Sequence, residues 1–327
     1  MRMRTSYAIG VDVGGTRVAA GLVDRKGRLL KEVRTLTPRD AGPFAIVDSI
    51  IESIGDVAAG VHPAEIAGIG VGLPAQIDFL KQSVEFCTNL PLAGVDMRSL
   101  IMSRVRHSVT IDNDSNCAGI GESRFGAGKG VRDFVMITLG TGVGGALFLD
   151  GECYRGSRGL GAEIGHMVVQ LDGPLCPCGG AGHLESFLGR PALAARGREV
   201  AATFKAFALR EEAGGDAEQV TAEHVITAAL KGDEESRAIL LDAGQVLGRA
   251  LVGVVNLLNP KLIIVGGGIG ESCGFLVERA AEVIDGEALA GRRDVRVVQA
   301  ELGNDAGVLG AAALAFDEHD SREGIHR

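Results

Sequence analysis

Two glycine-rich turns, each set between two apolar strands, constrain this chain more than any other feature. "YAIGVDVGGTRVAAGLVD" (7–24) and "FVMITLGTGVGGALFLD" (134–150) share one plan: a strand, a turn of glycines with a threonine, and a second strand. Sliding one by 126 positions lays Gly140 on Gly14, Ala146 on Ala20 and Asp150 on Asp24. Identity over that overlay is low. The shared strand, turn, strand grammar therefore carries the argument for an internal duplication, with chance similarity between two hairpins as the alternative. A chain of 327 residues has room for two lobes, each with its own core.

The rest of the chain alternates helix and strand. "KGRLLKEVRTL" adds a third strand to the first hairpin, "PFAIVDSIIESIGDVAAG" places Phe44, Val47, Ile50, Ile51, Ile54 and Val57 at helical spacing, and "EIAGIGVGLP" returns to a short buried strand. In the second half a long helix runs from Glu234 to a stop at Pro260. "KLIIVGGGIG" follows as strand and glycine turn, "GFLVERAAEVI" as helix, "VRVVQA" as strand, and "NDAGVLGAAALAF" as a small-residue helix able to pack back across the lobes. The expected division is an α/β lobe over 1–118 completed by the C-terminal helix 305–317, a larger α/β lobe over 119–304, and a frayed tail over 318–327.

Composition narrows the functions. The 49 glycines argue for many tight turns and for close backbone approach to a ligand. A net charge of -9 without a clustered Lys/Arg run argues against a nucleic-acid surface. The N-terminus lacks an apolar stretch of signal-peptide length, and nowhere do eighteen apolar residues run together, so a cytoplasmic protein with no membrane partner is expected. Of the six cysteines, Cys87, Cys117, Cys153 and Cys273 stand singly and are expected as small core residues.

The glycine turns invite a phosphate-binding reading. "GTGVGG" (Gly140 to Gly145) formally satisfies the dinucleotide pattern G-x-G-x-x-G, but that fingerprint needs a helix after it, and "GALFLD" continues as strand. A P-loop is excluded because no G-K-[ST] occurs. What remains is a β-hairpin whose backbone amides can approach an anion. "DVGGT" offers the same, with the Asp12 carboxylate beside Gly14, Gly15 and Thr16. Glycine hairpins are mostly just turns. Two at matched positions suggest a clamp on phosphates, with Asp12 holding Mg2+ through water.

Two further stretches carry chemistry. In "HMVVQLDGPLCPCGGAGH", nine residues separate His166 from Cys176, one separates Cys176 from Cys178 and four separate Cys178 from His183. Two thiolates and two imidazoles suit a tetrahedral structural zinc, and "PCGGAG" gives the loop freedom to gather them. A redox C-x-C pair is the alternative, although thioredoxin-like spacing is C-x-x-C in a βαβ setting. "VTIDNDSNCAGIGE" reads as a strand ending in Asp112, Asn113 and Asp114, then a helix with Ser115 near its cap; alone, it is an Asx turn.

Taken in order, "DVGGTR", "IDNDSNCAGIGESRFGAGKG", "LGTGVGG", "GAEIGH", "CPCGGAGHLE" and "IIVGGGI" resemble the ROK family of sugar kinases over most of the chain. The resemblance implies an α/β, two-lobed actin-like ATPase fold built from duplicated ribonuclease-H-like domains. It implies an ATP- and Mg2+-dependent hexose kinase acting on the sugar 6-hydroxyl, with Asp114 as the base that accepts the hydroxyl proton. Asn113, Glu163, His166 and Glu185 would bind sugar hydroxyls, and Asn89 is either a sugar ligand or a turn residue. Gly14, Gly15, Thr16, Gly140, Thr141 and Gly142 would clamp phosphates with Asp12 and Arg17, while Gly266, Gly267 and Gly268 would border the nucleoside. The metal ligands would be His166, Cys176, Cys178 and His183. Lobe closure around the sugar is expected, since excluding water protects ATP from hydrolysis.

The match loosens at several positions. The family commonly has Cys at His183, Gly at Ala75, Lys at Arg17, Glu at Asp112, Ala-Gly where Gly161 and Ala162 precede Glu163, and a Trp after Asn89, Leu90 and Pro91, whereas this chain has no Trp. Cys2His2 remains a good zinc set. The changes near the sugar pocket leave the substrate less tightly specified than the reaction: "GESRFGAGKG" resembles the glucose-phosphorylating branch, with N-acetylmannosamine, N-acetylglucosamine or fructose as rivals. A sugar-responsive repressor would need a DNA-binding domain before the first strand, for which about six residues leave no room. A catalytically silent sensor would not need Asp114 and both hairpins. A homo-oligomer, dimer or tetramer, is expected.

Overall fold

The computed structural model describes residues 5–203, 206–289 and 294–325. The chain opens with β1 (Tyr7–Val13), β2 (Arg17–Asp24) and β3 (Leu29–Leu36), an antiparallel meander. Helix α1 (Pro43–Ala58) follows, and β4 (Ile66–Leu73) pairs parallel to β1 with Asp12 opposite Gly72. A hairpin of β5 (Gln76–Asp78) and β6 (Ser83–Phe86), then the short helix α2 (Met97–Met102), lead to β7 (Val109–Asn113). Strand β7 pairs parallel to β4 with Asp112 opposite Gly72, and α3 (Asp114–Phe125) starts at the next residue.

The second half repeats the plan. Strands β8 (Phe134–Leu139), β9 (Val143–Leu149) and β10 (Glu152–Tyr154) form a run of three, the last of them unmarked in the sequence. The metal loop leads into the helices α4 (Glu185–Leu188), α5 (Arg190–Ala201), α6 (Phe207–Glu212), α7 (Ala222–Leu230) and α8 (Glu234–Leu258). Next come β11 (Leu262–Gly266), α9 (Gly267–Ser272), α10 (Gly274–Glu287), β12 (Arg296–Gln299) and the C-terminal α11 (Ala306–Arg322). The two five-stranded sheets run β3-β2-β1-β4-β7 and β10-β9-β8-β11-β12. Each is three consecutive strands with two later parallel strands added beside the first, so the hairpin overlay has a counterpart in topology.

Local chemistry sets the helices. In α1 the buried face is Ile46, Val47, Ile50, Ser53, Ile54 and Val57. At about 100° per residue, Phe44 and Ile51 lie about 100–120° round from the centre of that stripe, and Phe44 is 68% exposed rather than core. Helix α8 begins at Asp233, whose carboxylate accepts the Ser236 N–H, and ends at Asn259 in the left-handed region with Pro260 next. By length and composition α8 could cross a bilayer, yet it packs its apolar face on α7 and α10 as a core helix does. Cys117 and Cys273 are buried, while Cys87 and Cys153 are only partly so.

The described residues fall into two compact units, one of residues up to Arg132 with Ala146–Ala162 and Asn304–Arg327, the other of Asp133–Gly145 and Glu163–Gly303. The boundary expected at 118 lies inside α3, where an unbroken helix cannot be divided, so the first unit continues to Arg132 and takes back 146–162 as well. The tail expected to fray from 318 is helical to Arg322: Asp320 is 4% exposed and accepts two hydrogen bonds from Arg25. Residues 326 and 327 of that tail lie outside the described residues.

Candidate active site and metal loop

In the first unit, parallel pairing of β1, β4 and β7 puts their carboxyl ends side by side. Asp12 and Asp112 both lie opposite Gly72, so the two acidic strand ends are separated by one glycine. A Cβ at Gly72 would lie 3.2 Å from Cys117 Sγ and 3.4 Å from Asp114 Cα, a tight fit at the intervening position. Asp114 is the first residue of α3, where the positive end of the helix favours a carboxylate. Its Oδ1 accepts the Ser115 N–H at 2.7 Å.

Asn113 caps that helix. Its Oδ1 accepts the N–H groups of Ser115 (2.9 Å) and Asn116 (3.1 Å), and its amide nitrogen donates to the Ala75 carbonyl at 3.2 Å. The cap and the expected sugar ligand are therefore one side chain, with a single amide hydrogen left for a sugar oxygen. Asn89 lies in an exposed bend of the same unit.

The first glycine turn is braced by a residue that no sequence motif marks. Thr37, buried after β3, donates its hydroxyl to the Gly14 carbonyl at 2.7 Å, and its N–H donates to Thr16 O at 3.0 Å. Its partners are about twenty residues away, beyond the reach of any local pattern. Gly14 N–H donates to Arg17 O at 2.7 Å, closing the turn. Gly15, Thr16 and Arg17 line its outside, the last two exposed.

Asp12 lies under the start of α11, close enough that a Cβ at Gly307 would fall 2.6 Å from its carboxyl carbon. Burial pushes its pKa from the usual 3.8 up to about 6, and the charge of Arg34 only partly opposes this. A desolvated carboxylate of this kind suits a nearby divalent cation. Because the folded pKa is the higher one, the ionised group costs folding stability as pH rises from about 4 to about 6, and the cost is complete above that. It amounts to about 3 kcal/mol by linkage. Asp12→Asn should accordingly melt several degrees above the wild type at pH 8 and level with it near pH 4, while losing activity; equal midpoints at pH 8 would show that the carboxylate is not strained.

In the second unit, the turn after β8 is closed by Gly140 N–H donating to Gly142 O at 2.9 Å and held by Arg190 N–H donating to Gly140 O at 3.0 Å. Thr141 at its tip is exposed. Gly142 lies directly against the Glu185 carboxylate, and a Cβ there would fall 2.1 Å from Oε2 and displace it. The same oxygen accepts the Val143 N–H at 3.0 Å, so the first helical residue after the metal loop is tied to the glycine turn. Gly266 caps α9, and Gly267 sits at φ 78° against the Leu139 backbone, where only glycine fits. Gly268 faces the Arg190 guanidinium.

The metal loop gathers the four expected ligands. One donor atom from each of His166, Cys176, Cys178 and His183 lies within 4.8 Å of all the others. Cys178 Sγ is 3.2 Å from His183 Nδ1, and Cys176 Sγ is 3.7 Å from His166 Nδ1. Tetrahedral zinc would hold such N and S atoms roughly 3.6 Å apart, so the donor set fits the ion in chemistry and in size. Backbone bridges Val168↔His183 and Leu175↔Ala181 fold the loop onto itself. His166 turns its other nitrogen toward Glu163, with Nε2 3.9 Å from Oε2. Glu185 Oε1 lies 3.7 Å from Cys176 Sγ. Glu163 thus borders His166 and Glu185 borders Cys176, so both carboxylates lie beside the donor set of the loop.

The ROK family model matches residues 8–318. A glucokinase of Thermotoga maritima is 35% identical over 308 residues, covering 94% of this chain and 96% of its own. A glucokinase of Streptomyces coelicolor is 33% identical over 311 residues, with 94% and 96% covered. The crystal structure of a ROK family glucokinase from Streptomyces griseus, in complex with glucose and AMPPNP, superposes with a TM-score of 0.87 at 32% identity, covering 95% of this chain and 99% of that one. The fold is the expected two-lobed actin-like ATPase fold.

Proposed function

The chain belongs to the ROK family, and from that premise we propose that it is an ATP-dependent glucokinase, moving the γ-phosphoryl group of ATP to the 6-hydroxyl of glucose. The observation that carries this reading is the carboxyl edge of the first sheet, where Asp114 follows β7 and Asp12 is the penultimate residue of β1, with only β4 between. A proton acceptor and a carboxylate suited to a divalent cation thus stand at the carboxyl ends of two parallel strands with one strand between them, as phosphoryl transfer to an alcohol requires. Similarity to glucokinases over nearly the whole chain supports glucose as the acceptor.

In this mechanism Asp114 accepts the 6-hydroxyl proton as the sugar oxygen bonds to the γ-phosphorus and the bond from that phosphorus to the bridging oxygen of ADP breaks. The remaining N–H of Asn113 and the side chains of Glu163, His166 and Glu185 would orient the sugar, with Asn89 as a further candidate. The turns at Gly14, Gly15, Thr16 and Arg17 and at Gly140, Thr141 and Gly142 offer backbone amides and a cation to phosphate, and Gly266, Gly267 and Gly268 let the nucleoside approach. Mg2+, held by Asp12 through water, would neutralise charge on the transferring phosphate. We read the enzyme as a cytoplasmic homo-oligomer serving glycolysis.

The test is ADP release with ATP and Mg2+ across glucose, mannose, fructose, N-acetylglucosamine and N-acetylmannosamine. Glucose should lead. A lead by an N-acetyl sugar or fructose would move the substrate and point to Ala75, and no turnover with any sugar would overturn the reaction itself.

The metal in this reading is a structural zinc on His166, Cys176, Cys178 and His183, with no coordination position left for chemistry. It would stiffen the loop behind Glu163 and Glu185. Metal analysis of purified protein should find about one zinc per chain, and chelation should lower the melting midpoint and raise the KM for glucose. Metal-free protein with an unchanged midpoint would remove zinc from the account.

A further inference from the structure

We propose that Arg155 is a positioning residue for phosphoryl transfer, fixing through Asp112 the turn that carries the base; the proposal rests on the reading of Asp114 given above. Asp112 is 1% exposed, and the Arg155 side chain 18%. Arg155 donates from Nε at 2.9 Å and from Nη2 at 2.7 Å, both to Asp112 Oδ2. The other carboxylate oxygen, Oδ1, accepts the Asn113 N–H at 2.8 Å and the Asn116 side-chain amide at 3.0 Å. One carboxylate therefore grips the chain on both sides of Asp114, and Arg155 orients that carboxylate.

The guanidinium is itself held. Nη1 donates to Cys153 O at 3.2 Å, and the group lies 4.1 Å over the ring of Phe79, which follows β5. Downstream of Arg155, Gly159 adopts φ 91° and leaves no room for a Cβ, which would fall 2.4 Å from Phe79 N. Ala75, just before β5, accepts the Asn113 amide. Arg155 thus ties the end of β7 to the hairpin beside it, and both flank Asn113 and Asp114. A lysine could neutralise Asp112 but has no planar fork to stack on Phe79 while donating twice. Reaction rates are steeply sensitive to such placement, with a misplacement of about 1 Å costing about 100-fold.

A bland role competes with this one: Arg155 could merely neutralise a buried charge so that the protein folds. Two variants separate the roles, with kcat, glucose KM and melting midpoint measured on each. Arg155→Met should lower kcat about 30-fold with KM for glucose within about threefold, because the turn loses its tether. Asp112→Asn/Arg155→Met removes both charges, so its midpoint should recover toward the wild type while kcat stays at least about tenfold low. A double variant with wild-type kcat would overturn the proposal, leaving charge balance as the whole role of the pair. Should the single variant fail to fold, the double variant decides. Wild-type protein that turns over no sugar would overturn the reading of Asp114 and this proposal together, whereas an active wild type beside a fully active double variant overturns this proposal alone.

Discussion

Asp114→Asn should lower kcat about 10³-fold, since a positioned proton acceptor contributes about two to four orders of magnitude to such a transfer. The amide keeps the size of the carboxylate and an oxygen able to accept the Ser115 N–H, so the start of α3 survives. Loss of charge at the helix N-terminus should cost about 0.5 kcal/mol, too little to unfold the protein. Glucose KM should change little, because hydrogen bonds to sugar hydroxyls are made before the proton moves. The combination to look for is a collapsed kcat beside an almost unchanged melting midpoint and KM. A variant retaining a tenth of the wild-type kcat would remove Asp114 as the base and leave positioning and electrostatics to supply the rate. Asp12→Asn offers a contrast, because removing a strained carboxylate should damage activity while raising stability.

How far the sequence can be read depends on how far apart the interacting residues lie. The hairpins, the helix stop before Pro260 and the spacing from His166 to His183 are local patterns, and the structure has each of them, whereas the cap expected near Ser115 is made two residues earlier by Asn113. Of the six apolar residues at helical spacing in α1, Phe44 is exposed, because six overdetermine the stripe and only packing chooses among them. The unit boundary departs for a topological reason: strands β9 and β10 follow the second glycine turn in sequence, while Ala146–Ala162 packs with the first unit. The same return of the chain hides Arg155. Its partner Asp112 is 43 positions earlier, and nothing in "CYRGSRG" announces a buried ion pair. Thr37 is similar, a hydroxyl whose role exists only once β3 has brought it beside Gly14.

Gly310→Ala should destabilise the protein by about 3 kcal/mol or more, at the upper end of overpacking costs, because the collision is with backbone rather than a movable side chain. A Cβ at Gly310 would fall 1.6 Å from the Cys117 carbonyl oxygen, so α11 and α3 meet with no side chain between them. The opposite side of α11 is as tight: a Cβ at Gly70 on β4 would fall 1.8 Å from Ala311 O, and one at Gly10 on β1 1.9 Å from Val308 O. Helix α11 is thus wedged between α3 and the sheet by bare backbone on both sides, and any added methyl must push a helix off its seat. Gly55→Ala is the control. Gly55 lies exposed within α1, where an added methyl would have no atom within 4 Å and the φ is not positive, so alanine should stabilise by up to about 1 kcal/mol through helix propensity alone. Urea unfolding of the two variants should shift midpoints in opposite directions. If Gly310→Ala were neutral, α11 would have slack against α3, and the consequence would reach the site, because Asp12 lies under Gly307 at the start of the same helix and α3 carries Asp114 at its first position.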